Sequence, residues 1–295
     1  MNVVTTPFAK KYLFIWRTEL LFYTPERRKL AGEWTHVCFT GLPEADEPTL
    51  INSNLKKPLP FPNGTFDAVY SVHVVEHQSR AAGGQLLKDA YRLLKPGGIC
   101  RISTPDLEFF ARDYLNQLQR YRLDPDKKQF QRYQWALLNV LDQAVRRRSG
   151  GEMIDVIQNK EYVQEHLENL NGDLLVFIQN TSRSSIKRIL TNTTTYVDGN
   201  STSIGYRLNA LFRAGVRKVI TLLSRPWHLR LSRENNLWYH DSVSLIQLFE
   251  QAGFRDVVVK DYKTSGIDQW ERYNFDQSAY GDYPVEPSLF IEGVK

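Results

Sequence analysis

Short apolar runs alternate with an amphipathic helical pattern over the first part of the chain. The runs predict five strands, at Tyr12–Trp16, Thr35–Phe39, Thr49–Ser53, Phe66–Val72 and Ile99–Ser103. Before the fifth strand, leucines and Tyr91 recur at helical spacing over Gln85–Leu94, and Pro96–Gly97 ends this helix because proline cannot continue it. Near-continuous apolar strands joined by helices indicate a parallel sheet that is covered on both faces.

Polar helical patterns replace this alternation from Glu108 to about Asn235. The α/β pattern then returns with a helix at Ser242–Ala252, ended by Gly253, and with strands at Val257–Val259 and Ser288–Glu292. We therefore divide the chain into residues 1–107 and 236–295, the two parts of one α/β domain, and a helical insertion or lid at 108–235.

The composition narrows the class of protein. Of 295 residues, 42% are hydrophobic and 24% are charged, which excludes wholesale disorder, collagen and coiled coils. The net charge of +5 is too small to predict a nucleic-acid partner. Two cysteines, Cys38 and Cys100, exclude a disulfide scaffold and a four-cysteine zinc site, and they fit a reducing compartment.

Without a recognisable signal peptide or a run of about 20 apolar residues, we expect a cytoplasmic protein with no transmembrane span.

The most distinctive segments are Leu59–His77, which joins a proline-rich loop to a buried strand and a histidine-containing loop, and the turn Leu93–Gly98. Together they resemble the "type 11" S-adenosylmethionine-dependent methyltransferases. Four later segments resemble a bacterial subgroup of these enzymes that carries a middle insertion: Leu141–Arg146, Gly150–Met153, Trp238–Asp241 and Pro287–Glu292.

That resemblance implies a doubly wound α/β fold of the class I methyltransferase type, similar to a Rossmann fold. It implies a seven-stranded, mostly parallel sheet whose last strand is antiparallel, with a helical insertion between strands 5 and 6. It also implies S-adenosylmethionine as the cofactor and methyl transfer to a small-molecule or glycan-linked acceptor, since relatives often accompany glycosylation enzymes.

Polar residues after the fourth strand are the candidates for catalysis. In an open α/β sheet the ligand lies beyond the carboxyl ends of the strands, which places Ser71, His73, Glu76 and His77 near the methionine end of the cofactor and the acceptor. A hydroxyl acceptor must lose a proton, and histidine titrates near neutrality, so His73 or His77 is the expected base. The alternative is that Glu76 and His77 only tie the loop by hydrogen bonds.

Two further positions follow from the resemblance. Asn54 follows the third strand, where the family's adenine contact lies. His240 lies in Trp238–Asp241, a segment on the acceptor side in the family, and is a second candidate for catalysis. Asp241 is the expected N-cap of the helix that follows.

The first half of the cofactor site departs from the family pattern. Aligning Lys11–Thr18 with the family's glycine-rich turn places Trp16, Arg17 and Thr18 at the glycine positions, and Cys38 at the position of the ribose-binding aspartate. A second register, with the turn at Phe39–Gly41, leaves too few residues for a second strand, so the first is favoured. Glycine allows backbone to approach a cofactor closely, and a thiol cannot accept the paired ribose hydrogen bonds of a carboxylate.

These departures leave alternatives to an active methyltransferase open. One is a non-catalytic binding or scaffold protein of the same fold that has lost the cofactor. Another, disfavoured, is a zinc hydrolase using His73, Glu76 and His77, because zinc binding needs both histidines on one helical face and this motif follows a strand. The amphipathic helix at Arg207–Ser224 is expected to pack as a lid or core element; an oligomer contact or peripheral membrane contact is the other interpretation.

Overall fold

The computed structural model describes residues 10–16, 34–38, 50–52, 57–147, 151–157, 235–273, 275–277, 284 and 287–295. Within these ranges the side chains of Trp16, Cys38, Leu50–Asn52, Ile154 and Ile157 are not described. The predictions for Arg17, Thr18, Asn54 and the helix at Arg207–Ser224 lie outside the described residues.

A single sheet of seven strands organises the first and last parts of the chain. The strands are β1 Tyr12–Trp16, β2 Thr35–Cys38, β3 Leu50–Asn52, β4 Phe66–Val72, β5 Leu94–Pro105, β6 Arg255–Lys260 and β7 Ser288–Val294. Their order is β3-β2-β1-β4-β5-β7-β6. Strands β1 to β5 are parallel, and β7 lies antiparallel between β5 and β6. The predicted doubly wound, mostly parallel sheet with an antiparallel last strand is confirmed.

The described helices are α1 Arg80–Leu93, α2 Leu107–Leu123, α3 Lys127–Val145, α4 Met153–Ile157, α5 Ser242–Ala252 and α6 Trp270–Tyr273, with one 3-10 turn at Val75–His77. None of the described helices is both long and apolar enough to cross a bilayer.

Residues that alternate along the strands form two different cores on the two sheet faces. One face is aliphatic: Leu13 and Ile15 of β1 belong to the cluster that contains Leu87 of α1 and Phe249 of α5. The other face is mainly aromatic, and its buried aromatic members are Tyr12, Phe14, Trp34, Tyr70, Trp270, Tyr273 and Phe275. There the ring of Phe14 stacks on those of Tyr70 and Phe275, with centroids 5.0 and 5.3 Å away. The connection between β6 and β7 therefore covers the aromatic face.

Helix α1 begins earlier than the sequence suggested. The sequence pattern predicted a helix from Gln85, but this start is wrong: Ser79 is the N-cap and its hydroxyl accepts a hydrogen bond from the Ala82 amide at 3.3 Å. A Cβ at Gly83 would lie 3.1 Å from a methyl of Val75, so this glycine serves close packing. At the other end, Gly97 has φ +78°, yet it lies within β5 and the helix cap is Leu94.

Helix α5 has the boundaries that its capping residues predict. The Asp241 carboxylate accepts a hydrogen bond from the Ser244 amide at 2.7 Å, and the Ser244 hydroxyl pairs in return with the Asp241 amide at 3.2 Å. The next residue after the helix, Gly253, is left-handed with φ +103°. The backbone groups that a helix leaves without partners at its ends therefore find hydrogen bonds here through the Asp241–Ser244 pair and the left-handed Gly253.

Replacing Gly253 with alanine is expected to destabilise the fold by about 1–3 kcal/mol, because an L-residue is strained at this φ. Its Cβ would also lie 3.2 Å from the Tyr91 ring. Urea unfolding measures the change. Gly84→Ala is the matched control: Gly84 is inside α1 and its Cβ would make only an ordinary contact, 3.6 Å from Leu248, so this variant is expected to be neutral or slightly stabilising. Equal losses in both variants would contradict the prediction.

The described residues fall into two compact units. One contains those up to Phe109 and from Trp238 onward, and the other contains those between Phe110 and Leu237. In the second unit the Asp142 carboxylate pairs with the Arg146 guanidinium at 2.9 Å and accepts a hydrogen bond from the Glu152 amide at 2.7 Å. Asp142 thereby joins α3 to the residues just before α4.

Candidate functional site

Several strand ends meet at one edge of the sheet. Trp16 at the end of β1 pairs with Val72 at the end of β4, and Pro105 at the end of β5 pairs with Ser288 at the start of β7. The strand order reverses between β1 and β4, and a ligand of a doubly wound sheet binds at such a point. Because β1 is Tyr12–Trp16 and lies next to β4, the strands follow the first of the two registers considered.

His73 is the first residue after β4, and three contacts fix it there. Its backbone has φ +48°, which is rare for a residue with a side chain, and its amide donates to the Ser103 carbonyl at 2.9 Å. On the imidazole, Nδ1 lies 3.2 Å from Oε1 of Glu76, and Nε2 lies 3.2 Å from Oγ of Ser288. The ring therefore joins a carboxylate on one side to a hydroxyl on the other.

Glu76 is the buried centre of this cluster. Its Oε2 accepts a hydrogen bond from the Thr104 hydroxyl at 3.2 Å, and Nε2 of His77 lies 3.8 Å from its Oε1. Burial would raise the pKa of the Glu76 carboxyl, but the hydrogen bond with His73 and the two neighbouring imidazoles hold this pKa below its usual value. The carboxylate is therefore ionised at neutral pH although its side chain is buried.

The segment before α5 lies beside the same cluster. The Trp238 amide donates to the Glu76 carbonyl at 3.1 Å, and the guanidinium carbon of Arg80 lies 5.7 Å from the centre of the Trp238 ring. Two residues on, the His240 carbonyl accepts a hydrogen bond from the Leu107 amide at 3.1 Å. An exposed indole ring and an arginine thus flank the Glu76 cluster.

His240 is a buried imidazole with an altered protonation equilibrium. Neither of its ring nitrogens has a hydrogen-bond partner among the described residues. Burial lowers the pKa of His240 to about 4, and the nearby charges of Glu76 and Asp241 only partly oppose this shift. At neutral pH the ring is therefore uncharged, and one of its nitrogens is able to accept a proton or a hydrogen bond.

The predicted site residues are thus brought together in part. His73, Glu76 and His77 form one cluster, and His240 lies close enough for its charge state to respond to Glu76. Ser71 instead shares its sheet face with Ile15 and Ile102 of the aliphatic core. Its buried hydroxyl has no hydrogen-bond partner in the described part of the chain.

Sequence reasoning did not assign a role to Thr104 or Ser288. Thr104 is the last residue but one of an apolar strand, and Ser288 is 215 residues from the histidine it contacts. The available signal for both was their position: each lies at the end of a strand on the ligand side of the predicted sheet.

Two features test whether these residues fit S-adenosylmethionine. Beside the end of β4, the buried His240 imidazole, which has no hydrogen-bond partner in the described residues, leaves hydrogen-bonding capacity that a polar ligand would satisfy, so this part is compatible with the methionine portion. At the end of β2, Cys38 pairs with Trp16 in the sheet, and the sequence resemblance aligns Cys38 with the aspartate that binds the ribose in the family. A cofactor bound here would therefore lack its usual charged ribose acceptor.

Comparisons with known proteins agree with the sequence resemblance. Residues 40–102 match the family profile of the methyltransferase domain. No curated protein matches the chain in sequence.

Solved methyltransferase structures are among those similar to this chain. A possible histamine N-methyltransferase from Thermotoga maritima is 13% identical, with 97% of this chain and 83% of that chain covered and a TM-score of 0.35. A methyltransferase from Archaeoglobus fulgidus is 10% identical, with coverages of 97% and 87% and a TM-score of 0.39. One from Mesorhizobium loti is 10% identical, with coverages of 97% and 90% and a TM-score of 0.37.

The matched residues 40–102 contain β4, the cluster of His73, Glu76 and His77, and helix α1. The segment that builds the candidate site is therefore similar in sequence to the methyltransferase domain, and it lies in a doubly wound, mostly parallel sheet.

Proposed function

We propose that this protein transfers a methyl group from S-adenosylmethionine to a hydroxyl of a small-molecule or glycan-linked acceptor. The observation that carries the proposal is the pairing of His73 with the buried Glu76 carboxylate at the end of β4, 3.2 Å apart, beside the point where the strand order reverses. The match of residues 40–102 to the methyltransferase domain supports it.

When bound, S-adenosylmethionine supplies an electrophilic methyl group on its sulfonium. The sequence resemblance assigns His73 to its methionine end, and Asn54 and Cys38 to its adenosine end. The chain's own part is to remove the acceptor proton and to hold the acceptor in line.

In this proposal His73 takes the proton at Nε2. The Glu76 carboxylate accepts the Nδ1 hydrogen, which leaves the lone pair on Nε2. We choose His73 over His77 because its side chain is 23% exposed, whereas that of His77 is 6% exposed and faces Glu76. His77 and Thr104 hold the Glu76 carboxylate in place.

The surroundings of the cluster suggest how the acceptor binds. The Trp238 ring is 41% exposed and gives a flat apolar surface, and Arg80 adds a positive charge next to it. The uncharged His240 imidazole offers a hydrogen-bond acceptor or donor beside them.

A second candidate function is a non-catalytic binding protein of the same fold. The observation that favours it is Cys38 at the end of β2, where the ribose acceptor is missing. Titration with S-adenosylhomocysteine in a calorimeter separates the two: micromolar affinity supports the enzyme, and no heat of binding at millimolar concentration supports the non-catalytic protein.

Replacing Cys38 with aspartate is expected to tighten the binding of S-adenosylhomocysteine by about tenfold or more. A carboxylate at this position can accept both ribose hydroxyls, and hydrogen bonds to a charged group contribute about 1.5–3 kcal/mol. The measurement is the dissociation constant from calorimetry. Cys38→Asn is the control with the same shape and no charge, and it is expected to gain much less; an equal gain, or none with aspartate, would show that ribose does not bind at the end of β2.

A further inference from the structure

We propose that Ser288, His73 and Glu76 form a serine–histidine–glutamate triad that can accept an acyl group from a carboxylic ester. The Ser288 Oγ lies 3.2 Å from Nε2 of His73, and Nδ1 of the same ring lies 3.2 Å from Oε1 of Glu76. A hydroxyl, an imidazole and a carboxylate connected in this order through the two ring nitrogens are recognised by geometry, on any fold and in any chain order.

The sheet topology builds this arrangement from distant parts of the sequence. Ser288 starts β7, which enters the sheet antiparallel next to the end of β5, and His73 follows the end of β4. The left-handed backbone of His73, with φ +48°, is a conformation that costs energy in a non-glycine residue and is concentrated at functional sites. The histidine is further held by its amide, which donates to the Ser103 carbonyl at 2.9 Å.

The carboxylate of the triad is more deeply buried than the imidazole and the hydroxyl, as the transfer of an acyl group from an ester in solution requires. The Glu76 side chain is 2% exposed and is held by Thr104, so it can fix the orientation of the imidazole. His73 and Ser288 are both only partly buried, so the imidazole and the hydroxyl are more accessible than the carboxylate. The ionised state of Glu76 at neutral pH favours a hydrogen on Nδ1, which leaves Nε2 to accept the serine proton.

The proposed reaction consumes an ester and water. The Ser288 oxygen forms a bond to the carbonyl carbon of the ester while its proton moves to Nε2 of His73. The bond from the carbonyl carbon to the alkoxy oxygen then breaks, and His73 returns the proton to the departing alcohol. Water attacks the acyl-serine in the same way, which releases the carboxylic acid and restores the hydroxyl. This activity needs no cofactor, so it goes beyond the proposed methyl transfer and can be tested without it.

The test is labelling of the purified full-length chain with an alkyl fluorophosphonate, followed by intact-mass and peptide mass spectrometry. We expect one phosphonyl group on Ser288 of the native protein and none after heat denaturation. Ser288→Ala is expected to abolish the label, and His73→Gln and Glu76→Gln to slow labelling by at least about tenfold. Hydrolysis of p-nitrophenyl acetate is expected to fall in the same variants.

Matched controls keep the result specific. The hydroxyl of Ser265 donates directly to the carboxylate of Glu292. Among the described residues no imidazole lies between these two groups, so Ser265 lacks the base that the triad supplies to Ser288. Ser265→Ala is therefore expected to label like the natural protein. Circular dichroism identifies any variant that does not fold, and such a variant is replaced by His73→Asn. No label on the native protein, label that persists in Ser288→Ala, or an unchanged rate in a folded His73 variant would each overturn the proposal.

Discussion

Replacing Arg101 with methionine is expected to lower the free energy of unfolding by about 3–5 kcal/mol. The Arg101 side chain is fully buried in β5, and its guanidinium pairs with the carboxylates of Asp276 and Glu292, each at 2.7 Å. It also donates to the Thr264 and Asp261 carbonyls at 3.0 and 2.8 Å. Methionine fills a similar volume but removes the guanidinium donor from two buried carboxyls and two carbonyls.

The energetic cost comes mainly from the groups left behind. Burial raises the pKa of the Asp276 carboxyl, and Arg101 together with a hydrogen bond from Tyr70 opposes this rise. Without the guanidinium, the carboxyl must take up a proton or remain charged in an apolar surrounding, and both lower stability.

Urea unfolding followed by tryptophan fluorescence measures this loss. Arg92→Met, in helix α1, is the matched control. Like Arg101, Arg92 pairs with a carboxylate, that of Asp89, and donates to two carbonyls, those of Phe61 and Leu59, but its side chain is 29% exposed. We expect a loss of about 1–2 kcal/mol there. Substituting Asp276→Asn and Glu292→Gln in the Arg101→Met protein is expected to recover part of its stability. A loss below about 1 kcal/mol in Arg101→Met would mean that the network is dispensable.

Acidification from pH 6.5 to pH 4 is expected to remove about 3 kcal/mol of stability through His240 alone. The folded pKa of His240 is about 4 because the ring is buried, against a model value of 6.5. Between these two values the unfolded chain binds a proton at this ring and the folded chain does not. The free energy of unfolding therefore falls as the pH decreases through this window, and the His240 contribution is fully present above it.

His240→Asn removes the titrating group and keeps a polar side chain. The measurement is the midpoint of urea unfolding at several pH values between 4 and 7, for the natural protein and this variant. The slope of the free energy of unfolding against pH is expected to differ between the two proteins by roughly the uptake of one proton on unfolding. The contribution of Glu76 to stability is lost at lower pH than that of His240, since the pKa of the Glu76 carboxyl lies below its usual value. Identical slopes in the two proteins would rule out a buried, uncharged His240.

Apolar runs predicted the sheet well because strands that are buried on both faces leave a clear pattern. The boundaries of Tyr12–Trp16 and Phe66–Val72 are those of β1 and β4. The start of α1 was missed because Gly83 and Gly84 read as helix breakers. Gly83 is instead needed for close packing, because a side chain at this position would meet Val75.

The candidate site was predicted only where its members are neighbours in sequence. His73, Glu76 and His77 lie within one loop and turn, whereas the hydroxyl of Ser288 reaches them only through the order of the strands. Arg101 gave a local signal that was not used. A charged residue between Cys100 and Ile102 in a buried strand requires carboxylate partners, although the sequence does not say which ones.

The position of β7 has a consequence for how the protein is made. Because β7 lies between β5 and β6, strand β6 gains its ladder partner in the described sheet only after the ribosome has added β7. Until then the nascent chain exposes the open side of β5, with its unpaired amides and carbonyls, to other growing polypeptides. We therefore expect a chaperone that binds extended segments to associate with the nascent chain until β7 has been made, and slow translation before Ser288 to increase aggregation.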